Sequence, residues 1–189
     1  MATRLSPQAR LWLGALLCVA CVNIALLIWW NGKREHQYDP EIIAAARKYR
    51  LEPALVKAVI WQESKFNPKA RGKAGEIGLM QVREDAAFEW ADAEKIHPFK
   101  HQEIFDPGKN IQAGTFYLSQ LVRRYRNTDN PLPYALADYN AGRSHVLRWN
   151  KGAAKTNSTL FLSQMDFPGT KKYAENVIEK YSVYRKEFR

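Results

Sequence analysis

The stretch "AVIWQESKF", Ala58 to Phe66, places a carboxylate where a helical pattern leads to core. Glu63 lies three residues after Ile60, four after Val59 and seven after Val56, so it shares their helix face. Burial disfavours the ionised form and raises a carboxyl pKa. An acid held partly protonated near neutral pH suits a general acid that must protonate a leaving oxygen. The plainer alternative fits the periodicity equally well: the stripe surfaces at the helix end and Glu63 is solvated or paired with a lysine. The surrounding residue types favour chemistry. Ser64 adds a hydroxyl, and the glycine-punctuated run Gly72 to Gly78 delivers Leu79, Met80 and Gln81. Further along, "DYNAG" supplies the phenol of Tyr139 and the amide of Asn140 at a helix end. His97 and His101 have a spacing that can chelate a metal on a helix, but Pro98 interrupts the helix and no third ligand is evident. Neither a metal nor another cofactor is expected.

These groups must be carried by helices. Asp39-Pro40 reads as a capping carboxylate followed by proline, opening a helix that buries Ile42, Ile43 and Ala46. A second helix begins near Glu52-Pro53, carries Glu63 and stops before Asn67-Pro68. Ile111, Leu118, Val122 and Tyr125 predict a long helix over "NIQAGTFYLSQLVRRY". "YALADYNAG" predicts one ended at Gly142, "SHVLRWN" a short one capped by Ser144, and a last helix runs from about Thr170. No period-two apolar run of useful length is present, so the domain is expected to be mainly α.

The segments "ESKFNPKARGKAGEIGLMQV", "NIQAGTFYL" and "ALADYNAG" occur in the order and spacing of the lytic transglycosylases of the soluble-transglycosylase type, and the chain from about Tyr38 onward resembles that family. The resemblance implies a lysozyme-like catalytic domain, akin to goose-type lysozyme, acting on peptidoglycan glycan strands. It implies cleavage of the β-1,4 bond between N-acetylmuramic acid and N-acetylglucosamine. Glu63, by motif, acts as acid and then as base toward the muramoyl 6-hydroxyl, leaving a 1,6-anhydro end. Ser64, Met80, Gln81, Tyr139 and Asn140 are expected to bind substrate, with the Tyr139 hydroxyl near the reacting centre. Ordinary glycosidases use two carboxylates, and only Glu63 has a context that places it on a buried face. The alternatives are a hydrolase on the same bond, with Glu76 or Asp138 orienting water, and an idle wall-binding module. The chain departs from the family pattern at Gly72, where a serine that reaches the substrate is frequent, and at Glu76, Asp138 and Gly169.

Leu11 to Trp30 contains no charge and only Asn23 as a strongly polar side chain. At 1.5 Å per residue it spans about 30 Å, a bilayer's hydrocarbon core. Trp12, Trp29 and Trp30 fall where interfacial aromatics are usual, Arg4 and Arg10 precede the run, and no signal-cleavage site is evident. The expected organisation is a cytoplasmic tail at 1–10, a single transmembrane anchor at 11–30, a linker at 31–39 and the domain at 40–189. The domain is expected outside the bacterial cytoplasmic membrane, where peptidoglycan lies. Both cysteines, Cys18 and Cys21, fall in the anchor, so the domain can form no disulfide. With 29 Lys and Arg against 19 Asp and Glu, the net charge of +10 suits anionic surroundings. No nucleic-acid-reading motif accompanies that charge, so no nucleic-acid partner is expected.

Overall fold

The computed structural model describes residues 6 to 188, except for the side chains at 9, 11, 14 and 26–31. The chain divides into two units, residues 1–37 and 38–189.

The first unit is a helix, α1 (Pro7–His36). Trp12, Leu16 and Leu17 are exposed on it, and Asn23 donates from its amide to the Val19 carbonyl at 2.8 Å, satisfying its polar group within the helix. Arg4 and the side chains of Trp29 and Trp30, expected to flank the apolar run, lie outside what the structure describes. Among the described residues no helix is long and apolar enough to cross a membrane. The helix continues through Lys33 and Arg34 to His36, so most of the connector expected at 31–39 is helical. Lysine and arginine are good helix formers, and cations in a last turn complement the helix dipole.

The second unit is built from α2 (Asp39–Tyr49), α3 (Pro53–Ser64), α4 (Glu84–Ala93), α5 (Pro107–Arg124), α6 (Pro131–Ala141), α7 (Arg143–Trp149), α8 (Ser158–Ser163) and α9 (Pro168–Tyr184). Short 3-10 turns stand at His101–Phe105 and Gly152–Lys155. Two isolated bridges, Arg71 with Ile77 and Ile77 with Val82, are the sheet-like pairings among the described residues.

At the centre lies α3, packed mainly on α9 and also on α2. Every residue from Ala54 to Ile60 is buried, so this helix is enclosed on all sides rather than along one stripe. That enclosure includes Lys57, whose ammonium has no exposure. Its Nζ lies 2.9 Å from Asp39 Oδ1 and 3.2 Å from Glu187 Oε2, with the rings of Tyr184 and Phe188 at 5.1 and 5.3 Å.

Three local expectations are corrected. Asp39 is the first residue of α2 rather than its cap, because its carboxylate is drawn to Lys57 and Tyr38 takes the cap position. Ile43 is exposed, since the inward stripe of α2 runs Ile42, Ala45 and Ala46, and one residue's rotation turns Ile43 outward. Ser144 lies inside α7, which starts from Gly142 with no side-chain cap. The loops before α5, α6 and α8 do supply caps: Asp106, Asn130 and Asn157 each accept a backbone N–H of the following turn.

Candidate active site

Glu63 occupies the last turn of α3. The helix stops just beyond it because Lys65 and Phe66 turn left-handed, with φ of 50° and 61°, and Phe66 then buries its ring. The chain passes through the glycine loop and returns at Leu79–Gln81, a segment held from below by α5. There the buried Asn110 accepts the Met80 N–H at 2.7 Å and donates to the carbonyls of Ile77 and Ile104 at 2.8 and 3.1 Å. One helical turn on, Gly114 has no side chain where a Cβ would fall 2.6 Å from Met80 Sδ. Met80 is therefore packed down onto α5 and has no exposure.

Above this floor opens a cleft of about 560 Å³. Glu63, Glu76 and Gln81 line it from the α3 side, Asp85 and Tyr117 from α4 and α5, and Asp138 to Arg143 from the end of α6. Of the residues expected to bind substrate, Gln81, Tyr139 and Asn140 thus share the cleft with Glu63. Ser64 and Met80 do not line it. The Ser64 hydroxyl donates back to the Ile60 carbonyl at 3.2 Å, the usual resort of a serine inside a helix, and Met80 belongs to the core.

Glu63 is half-buried in the cleft wall, and burial pushes its carboxyl up to about 7. Two neighbours modulate it. The Tyr173 hydroxyl donates to Glu63 Oε1 at 2.5 Å and favours the charged form, while the negative charge of Glu76 favours the acid. Tyr173 and not Tyr139 is thus the phenol on the carboxylate. Tyr139 instead donates to the Met80 carbonyl at 2.8 Å and lays its ring against Tyr117, tying α6 to the loop segment beside Glu63. Tyr173 itself was missed in the sequence, although its signal is of the same kind as that of Glu63. It belongs to the buried set Thr170, Tyr173, Ala174 and Val177 of α9, where a hydroxyl-bearing ring stands out on an apolar stripe. From the same stripe Thr170 donates to Asn140 Oδ1 at 2.8 Å, so α9 braces both walls of the cleft.

Two departures noted in the sequence form one arrangement. A Cβ at Gly72 would lie 2.1 Å from Glu76 Oε2, so the carboxylate of Glu76 occupies the space that a side chain at 72 would need. The loop fixes it there: the Gly72 N–H donates to the Glu76 carbonyl at 2.8 Å, and the Ala74 N–H to Glu76 Oε2 at 3.0 Å. Asp138, with 1% exposure, is neutralised through Oδ2 by Arg124 at 2.9 Å and by the Tyr125 hydroxyl at 2.7 Å. His101, considered as a metal ligand, is buried with Nε2 3.2 Å from the Val82 carbonyl.

Comparison with known proteins gives the family. Residues 40–162 match the transglycosylase SLT domain family. The membrane-bound lytic murein transglycosylase C of Pectobacterium atrosepticum is 36% identical over 139 residues, covering 67% of this chain and 37% of the relative. Its namesake in Yersinia pestis (strain Pestoides F) is 35% identical over 138 residues, covering 69% and 38%. The chain thus spans well under half the length of these relatives. Among solved structures, the lytic transglycosylase Slt of Pseudomonas aeruginosa, in an inactive mutant form, superposes with a TM-score of 0.73 at 26% identity, over 81% of this chain and 24% of that one. The 70 kDa soluble lytic transglycosylase of Escherichia coli gives 0.71 at 26% identity, over 80% and 24%. The match from Pro40 to Leu162, over well more than half of the sequence, makes this chain a member of the transglycosylase SLT domain family.

Proposed function

We propose that the protein is a membrane-anchored peptidoglycan lytic transglycosylase in which Glu63 is the general acid and then the general base. The observation that carries this reading is a half-buried carboxyl, raised to about 7, in the wall of an open cleft of about 560 Å³. In its acid form Glu63 gives its proton to the glycosidic oxygen as the bond from the anomeric carbon breaks. The carboxylate so formed takes the proton of the muramoyl 6-hydroxyl, whose oxygen attacks the anomeric carbon and closes the 1,6-anhydro ring. Glu63 ends protonated, as it began, and no water is consumed.

Tyr173 holds the carboxyl by its hydrogen bond to Oε1. Gln81, whose backbone is held at φ 48° and whose side chain bonds the Gly78 carbonyl at 2.9 Å, presents a rigid edge to the sugar, and Tyr139 and Asn140 form the opposite wall. The relatives named as lytic murein transglycosylases support the reaction class. Their description as membrane-bound supports an anchor at 11–30, as does the row of exposed apolar side chains on α1, with the second unit outside the cytoplasmic membrane.

The experiment is a paired digestion of sacculi by the wild type and Glu63→Gln, with mass spectrometry of the released muropeptides. Anhydro-muramoyl products from the wild type and none from the variant are expected. Products heavier by one water would instead establish a hydrolase, the reading favoured by Glu76 if it positions water in the cleft.

A further inference from the structure

Glu76 lines the same cleft as Glu63, and the loop that carries it is shaped around its side chain. Gly72 leaves the room, the Ala74 N–H holds Oε2, and the backbone pairing of residue 72 with residue 76 fixes the turn. Among the described residues no cation lies within ion-pair distance of it. Two other acids of the cleft wall, Asp85 and Asp138, differ in this respect. Asp85 has Arg83 at 3.5 Å, and Asp138 has Arg124 at 2.9 Å. Glu63 is faced by the phenols of Tyr173 from α9 and Tyr139 from α6, and by Glu76 from the loop. Arg83 and Asp85 at the start of α4, and Asp138 and Arg143 about the end of α6, are the further charges on the wall.

A fixed anion in a partly desolvated cleft stabilises positive charge developing nearby far more than the same anion would in bulk water. Glycosidic cleavage passes through an oxocarbenium-like state, and ordinary glycosidases meet it with a second carboxylate. We propose that Glu76 is that second carboxylate: ionised and fixed above Gly72, it stabilises the positive charge on the sugar ring while Glu63 protonates the leaving oxygen. Glu76 neither gains nor loses a proton in the cycle. This deepens the transglycosylase reading and rests on it, and it makes the exchange of residues 72 and 76 a single functional replacement.

The test uses the full chain in detergent micelles. Glu76→Gln keeps the shape and the acceptor for the Ala74 N–H but removes the charge. It is expected to lower kcat on soluble glycan strands about tenfold or more, with KM within about twofold and the melting temperature retained. Gly72→Ala, which must displace the carboxylate, is expected to lower kcat similarly, yet to add nothing in a Glu76→Ala background. A readout independent of turnover is calorimetric binding of an N-acetylglucosamine-configured iminosugar, cationic at neutral pH, against neutral chitotriose. Glu76→Gln should weaken only the cation, again about tenfold. Unchanged kcat in Glu76→Gln, additive losses in the double variant, or equal weakening of both probes would overturn the proposal. A wild type that releases no glycan fragment strikes the transglycosylase reading instead, and the calorimetric contrast still decides the role of Glu76.

Discussion

At the scale of single residues, the role proposed for the cleft is to keep one proton available on Glu63. Glu63→Gln removes the proton donor and should lower muropeptide release roughly a thousandfold, the range general acid–base groups supply. Because the acid form is needed, activity should fall as pH rises through about 7. The two modulating neighbours should move that limb in opposite directions. Tyr173→Phe removes a bond that favours the carboxylate, so the limb shifts to higher pH; Glu76→Gln removes a charge that favours the acid, so it shifts lower. Both are read from pH–rate profiles, and shifts of the same sign would contradict the assignment. Stability carries the same proton in a second form. The folded pKa lies above the ordinary value of 4.5, so the stabilisation tied to protonated Glu63 is complete below 4.5 and lost as pH rises through about 7. Glu63→Gln cannot ionise, and its stability relative to the wild type should therefore improve between pH 4 and pH 8 in urea melts.

At the scale of elements, α3 presents the acid, while α5 and α9 decide where everything else stands. Asn110 holds the Met80 N–H and the Ile77 carbonyl of the segment beneath the cleft, and the Ile104 carbonyl of the 3-10 turn before α5. Asn110→Ala removes the acceptor of the buried Met80 N–H and one of two donors to the Ile77 carbonyl, and should cost about 2 kcal/mol by chemical denaturation. The helices bearing apolar stripes were legible in the sequence, as was the position of Glu63 among Val56, Val59 and Ile60, because periodicity reports which face is inward. Periodicity does not report what the inward group meets. The Tyr173 hydroxyl comes from a helix 110 residues further along the chain, and no local pattern links the two. The same limit explains Tyr139: its place on the cleft was readable, but its partner, the Met80 carbonyl, depends on how α6 crosses the loop. α4 and α8 are not legible in the sequence for a different reason. The first is rich in alanine and acids, and the second has only six residues, so neither offers a long apolar repeat. The sequence neighbours of Ser64 and Met80 point to the cleft, whereas helix rotation and the hole above Gly114 send the two side chains elsewhere.

At the scale of the whole second unit, the site depends on a clamp at its far end. Lys57, one of the buried residues of α3, draws together the first turn of α2 and the stretch after α9. Lys57→Met should destabilise the domain by about 3 kcal/mol, measured as a lowered denaturation midpoint, since it leaves two carboxylates gathered without their cation. Loss of activity should follow only as the fraction unfolded rises, because Lys57 does not line the cleft.

The same ammonium makes the unit nearly a closed ring. Asp39 and Glu187, 148 positions apart in sequence, both reach one atom, so the two ends of the domain meet in space. A circular permutant, with the ends joined by a few glycines and the chain reopened at the exposed Lys151–Gly152 turn, should keep the order of contacts around Glu63. The helix that carries Glu63 would then lie in the interior of a chain whose ends no longer fall beside its clamp in sequence.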